Sequence, residues 1–168
     1  MSIETVLLKY LEEEDLLVKK IEDHKLEFGY IFSFPPGPKK VPMQVIQPKQ
    51  KDFIIITLGI QIPEAYIKAL NSLDLKKKNR YYFEVRKYLL QQNFLFSFDL
   101  QHFRYQISDQ IFLSKNTEIS KNDFFHIIRN IFNSSQYCYM ILAEYCSSNL
   151  ETKDLEHSDD LFSPNFYT

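Results

Sequence analysis

Hydrophobic residues in this chain change period along its length, and the order of those changes constrains the fold more than any single motif. A helix-period segment opens the chain, period-two alternation runs from residue 26 to 62, and a helical stretch, two further alternating segments and a long final helical segment complete it. Helices placed before, between and after antiparallel strand groups have to stack on a face of the sheet to bury their apolar stripes. The order α-β-β-β-α-β-β-α therefore predicts an α+β fold. It is a two-layer sandwich with a mainly antiparallel sheet of five to six strands and helices packed on one face.

The individual segments follow from their side chains. Ser2 is placed to cap a first helix, with Ile3, Val6, Leu7, Tyr10 and Leu11 on one stripe. The acidic run Glu12 to Asp15 lies at the wrong end of that helix for its dipole and is expected to stop it. Leu16 to Ile21 either continues that helix or, the preferred reading, forms a short strand with Leu16 and Val18 inward and Ile21 as a further inward candidate. Leu26, Phe28, Tyr30, Phe32 and Phe34 alternate with other residues as a half-buried strand does, until Pro35-Pro36-Gly37-Pro38 ends it. Met43 to Gln47 gives the next strand. Phe53 to Leu58, almost wholly apolar, suits a strand covered on both faces. Pro63-Glu64 opens a helix bearing Ala65, Tyr66, Ala69, Leu70 and Leu73, and a longer helix is expected from Asn79 to Gln92, with Asn93 as its stop. Phe94 to Leu100 and Tyr105 to Leu113 form a hairpin. Ser120 and Asp123 resemble a capping box for a final helix over Lys121 to Cys146.

At 168 residues the chain is long enough to bury a real core, and residues 1–147 are expected to form a single domain. Residues 148–168 carry five acids and one lysine without any period. They are expected as an acidic, mobile tail in which Phe162, Phe166 and Tyr167 are the alternative reading as a docking motif. Only three glycines occur, which argues against phosphate-cradling loops. The net charge of −2 draws neither nucleic acid nor an anionic membrane. No apolar run reaches the roughly 20 residues of a membrane span, so a soluble, cytoplasmic protein is expected.

Little in the chain points to chemistry. His24, His102, His126 and His157 are scattered, and none has the spacing of a metal ligand pair. Cys138 and Cys146 lie eight apart in one helix, about 12 Å at 1.5 Å per residue, too far for a disulfide. They are expected to be reduced core residues. Asp99, His102 and Arg104 beside the hairpin are the one cluster from which an enzyme site could be assembled, and they read as ordinary loop polarity. No catalytic residue, cofactor or metal is therefore assigned.

Two surfaces remain for partners. The final helix is apolar on more than one face, whereas a helix on one side of a sheet needs only one stripe of about 100°. Phe125, Ile128, Phe132 and Tyr139 on its surplus face are the candidate partner or homodimer interface. Lys76, Lys77, Lys78 and Arg80 form a candidate basic loop, beside Tyr81 and Tyr82, for which nucleic acid is the alternative occupant.

The strings MQVIQPKQKDFIIITLGIQIPEAYIKAL, YYFEVRKYLL, FLFSFDL and DQIFLSKNTEISKNDFFHIIRNIF resemble an uncharacterised archaeal and bacterial domain family. By this resemblance the family groups with the type III secretion chaperone-like (Tir-chaperone, YbjN-like) fold. The resemblance spans residues 1–147 and implies the sandwich described above. It also implies dimerisation and binding of extended client segments on sheet and helix surfaces. It carries over no catalytic residue.

Overall fold

Two helices end in the same way, and each end fixes the direction in which the chain enters its next segment. Helix α1 spans Ile3–Glu13, with the Ser2 hydroxyl accepting from the Thr5 amide. Asp15 then takes a left-handed conformation at φ 52°. The Asp15 amide donates to the Glu12 carbonyl and the Leu16 amide to the Leu11 carbonyl, at 3.1 and 2.9 Å. This is a Schellman closure, with buried Leu11 and Leu16 in the positions that normally make its apolar contact. Asn93, at φ 61°, closes the longest central helix identically through its own bond to Leu90 and that of Phe94 to Leu89.

The structure is a computed structural model that describes residues 2–38, 40–114 and 118–150. Lys39, His157, the acidic tail from residue 151 onward and its aromatics Phe162, Phe166 and Tyr167 lie outside the described residues. After α1 come strands β1 (Leu17–Lys20), β2 (Leu26–Phe34), β3 (Val41–Pro48) and β4 (Phe53–Gln61), then helices α2 (Glu64–Ser72) and α3 (Leu75–Gln91). Strands β5 (Leu95–Asp99) and β6 (Arg104–Phe112) and helix α4 (Lys121–Cys146) complete the order. The fold is α+β, as expected, with six antiparallel strands in the order β1-β2-β3-β4-β6-β5. The edges are therefore β1 and β5, four and five residues long.

Register agrees with the side-chain pattern at most positions. Tyr30 faces Val45 and Phe32 faces Met43 across β2 and β3. Val41, Met43 and Val45 are buried while their neighbours are less so, the alternation of a strand covered mainly on one face. In β4, Ile56 to Ile60 is continuously buried, which fits its nearly unbroken apolar run. One expectation is corrected. Leu17 pairs with Phe32 but Lys19 with Ile31, so Val18 is the extra residue of a bulge and is 56% exposed rather than inward.

The chain divides into two compact units. The first comprises Met1–Leu58 and Ser108–Phe132, with Leu7, Phe32, Met43, Ile56, Phe124 and Ile128 fully buried in its interior. The second comprises Gly59–Ile107 and the chain from Asn133, with Tyr66, Leu70, Tyr81, Val85, Ile107 and Cys138 at its centre. Both cysteines are free and buried.

The beginning of α3 also differs from expectation. Asp74 is its N-cap, the Oδ1 atom accepting from the Lys77 amide at 2.8 Å, so the helix starts four residues before Asn79. Lys76, Lys77, Lys78 and Arg80 thus belong to a helix and not to a loop.

Candidate protein-binding cleft

In the first unit the start of α4 and the end of β2 leave a concavity. Ser120 fixes where α4 begins, its hydroxyl accepting from the Asp123 amide at 3.1 Å and donating to the Asp123 carboxylate at 2.6 Å. That start places Lys121, Asn122, Phe125 and Arg129 along one side. The Schellman end of α1 delivers Glu14 and Leu16 opposite, and the prolines after β2 hold Phe34 and Pro36 at the third wall. The resulting open cleft has a volume of about 480 Å³.

Its floor is apolar and its rim is charged. Phe34 is half-buried and meets Phe132 edge-on at 5.5 Å, and Phe125 meets Phe124 likewise at 5.4 Å. The two cations on the rim differ in availability. Lys121 Nζ lies 2.6 Å from Glu14 and 2.9 Å from Glu13, and these hydrogen bonds raise its pKa while lowering that of Glu13. Arg129 is exposed and has no ion pair among the described residues. An apolar floor with one unspent guanidinium at its edge suits an apolar side chain that has a carboxylate near it.

The candidate interface residues are not placed together. Phe125, 8% exposed, lines the cleft, and Phe132 supports it through Phe34. Ile128 has no exposed surface and belongs to the interior of its unit. Tyr139 lies in the second unit, half-buried, its hydroxyl 2.7 Å from that of Tyr66 with the rings 5.6 Å apart. Most of the surplus apolar surface of α4 is therefore covered within the chain's own units. The apolar side chains that α4 does leave exposed are Tyr137, stacked on Tyr88 at 4.2 Å, and Met140. Sequence reasoning assigns neither of them to a partner surface, and the same holds for Leu16, Phe34 and Arg129.

Asp99, His102 and Arg104 do converge. Asp99 accepts from Arg104 Nε at 2.9 Å and from the His102 amide at 3.1 Å, with His102 Nδ1 2.8 Å away. The Arg104 guanidinium, foremost among these partners, holds the Asp99 carboxyl down at about 2. These contacts close the β5–β6 turn. Among the described residues no group of three His, Cys, Asp or Glu is placed to hold a metal ion, and no helix is long and apolar enough to cross a membrane.

Comparison with known proteins agrees with this architecture. A model of the uncharacterized conserved protein family DUF2299 matches residues 3–142, most of the chain. The chain belongs to the DUF2299 family. A solved structure of an uncharacterized protein from Methanothermobacter thermautotrophicus is 22% identical, with a TM-score of 0.75 over 85% of this chain and 98% of that one, and shows the same fold. The crystal structure of the ExsC-ExsE complex contains a chain 15% identical, covering 84% of this chain and 97% of its own. Its TM-score of 0.47 is too low to establish a shared fold. No curated protein matches. The expected likeness to an uncharacterised family is thus met, whereas the grouping with secretion chaperones has only the weaker likeness beside it.

Proposed function

We propose that this chain is a non-enzymatic protein-binding module that takes an extended client segment into the cleft at the start of α4. The observation that carries this reading is the pairing of an apolar floor, Leu16, Phe34 and Phe125, with the exposed Arg129. A concave site of this size accepts one or two side chains from an extended strand more readily than the convex face of a second folded copy. Binding energy would come from desolvating an apolar anchor, with Arg129 selecting a neighbouring carboxylate and so fixing register. The reading is chaperone-like in mode, and a homodimer is a distinct arrangement that sedimentation at two concentrations reveals.

The test is selection of peptides from a random displayed library against the full chain, followed by affinity measurement on synthetic copies. The expected peptides carry a large apolar residue next to Asp or Glu. Arg129→Glu is expected to weaken them at least tenfold while leaving the melting temperature unchanged, since the side chain is exposed. Peptides with no such pattern, or with equal affinity for the variant, would refute the reading.

A further inference from the structure

Helix α3 carries charges that work against its own stability. Lys76, Lys77 and Lys78 lie in its first turn without an acid among them. A cation at that end opposes the helix dipole. Between Leu75 and Gln91 the helix holds Lys76, Lys77, Lys78, Arg80, Arg86 and Lys87 against Glu84 alone, a balance of +5 in a chain whose net charge is −2. At 3.6 residues per turn, Lys76, Arg80, Phe83, Lys87 and Leu90 fall on one stripe, opposite the buried Tyr81, Val85 and Leu89. Phe83 and Leu90 are 65% and 66% exposed. The stripe is cationic at its beginning and carries its exposed apolar side chains towards its end, with Lys87 between them.

Residues 151–168 have the complementary composition in the same order. Glu151, Asp154, Glu156, Asp159 and Asp160 come first, against Lys153, a balance of −4, and Leu161, Phe162, Phe166 and Tyr167 come after them. The described chain delivers this segment to the right end of α3. Asn149 Nδ2 donates to Ser72 Oγ at 2.7 Å, two residues before the Asp74 cap.

We propose that residues 151–168 dock along the outward stripe of α3 in the same molecule, acids against Lys76 and, in exchange for its Glu84 partner 3.1 Å away, Arg80, and aromatics against Phe83 and Leu90. Reach is no obstacle. The 17-residue helix is about 25 Å long, whereas 18 extended residues span about 60 Å. Tethering supplies an effective concentration of about a millimolar, enough for a weak contact to be occupied. A row of cations also suits the phosphates of a nucleic acid, but the two exposed apolar side chains and a polyanion attached beside them favour the chain's own segment.

The experiment uses the full chain carrying Asn165→Cys with a nitroxide label, read by paramagnetic broadening of backbone amide signals. Cys138 and Cys146 do not compete for the label, being buried with thiols pushed up to about 12 and about 11. At low salt the amides of residues 76–90 are expected to lose intensity, and to keep that loss when the labelled chain is diluted into unlabelled chain. Intensity should return at about 1 M salt, where screening acts within about 3 Å. It should also return in the fourfold variant Asp154→Asn, Glu156→Gln, Asp159→Asn, Asp160→Asn. Phe83→Ser, at an exposed position that leaves the fold intact, is expected to reduce broadening near Leu90. Unbroadened α3 amides would overturn the proposal. Broadening that vanishes on dilution would overturn it in favour of a second copy. A thymidine oligonucleotide that shifts α3 amides which the label leaves untouched would overturn it in favour of nucleic acid.

Discussion

Thr57 Oγ1 donates a hydrogen bond to Ser108 Oγ at 2.9 Å, joining strands β4 and β6 through two hydroxyls that are both buried. The two residues are directly opposite. The Ile62 amide bonds to the Phe103 carbonyl and the Leu113 amide to that of Asp52, so residue numbers across this pair of strands sum to a constant. A hydroxyl pair in such a place is neutral while intact and costly when halved. Ser108→Ala is expected to destabilise the fold by about 1–3 kcal/mol, whereas Thr57→Val with Ser108→Ala should come out near the wild type. Urea denaturation of the four members of that cycle measures the coupling.

Removing a buried hydroxyl should do the reverse at Tyr81. Among the described residues the Tyr81 and Tyr82 hydroxyls have no hydrogen-bond partner, and burial pushes the Tyr81 pKa well above its ordinary value. Tyr81→Phe keeps the ring against Tyr82 and Tyr145 and relieves an unsatisfied group. Stability is expected to be unchanged or higher by about 1 kcal/mol, as read by thermal melting.

Adding a single carbon is expected to harm the fold at Gly29. A Cβ there would stand 3.0 Å from Leu26 Cδ1 and 3.1 Å from Ile21 Cβ. The leucine tip can turn away. Ile21 cannot, because its amide is tied to the Gly29 carbonyl at 2.8 Å. Gly29→Ala should destabilise by about 1–3 kcal/mol, the usual cost of overpacking, in the same urea experiment.

Acid should loosen the β5–β6 turn. Asp99 titrates at about 2 in the folded chain against an ordinary 3.8. A carboxyl with a lowered folded pKa contributes stability above its unfolded value and loses that contribution as pH falls through the folded one. The window is therefore between pH 3.8 and about 2. Carboxyl-carbon titration by NMR should place Asp99 there, and Arg104→Gln should move its midpoint upward.

Much of this architecture can be read from side-chain periods because the strands alternate cleanly and most helix ends carry their own signals. Ser120 with Asp123, and Asn93 as a stop, are local features with local physics. The misreadings have equally specific causes. Three lysines after Leu75 suggest a solvated loop, yet the Asp74 side chain ahead of them caps a helix. Val18 reads as inward because a bulge leaves no trace in a four-residue strand. The candidate cleft is legible in the sequence only through Phe125. Leu16, Phe34 and Arg129 come from three elements far apart in sequence, and no period along a single element brings them together.

The margins of the sheet have a consequence for how the molecule behaves in a crowded solution. Strand β1 is four residues long, is interrupted by its bulge and ends in Lys19 and Lys20, and β5 is five residues long. A chain so rich in phenylalanine, tyrosine and isoleucine would template fibres if it offered a long flat strand at its border. Its borders are instead too brief, and on one side too charged, for a neighbour's backbone to continue the ladder, so the aromatic wealth of the interior stays a private resource of each molecule.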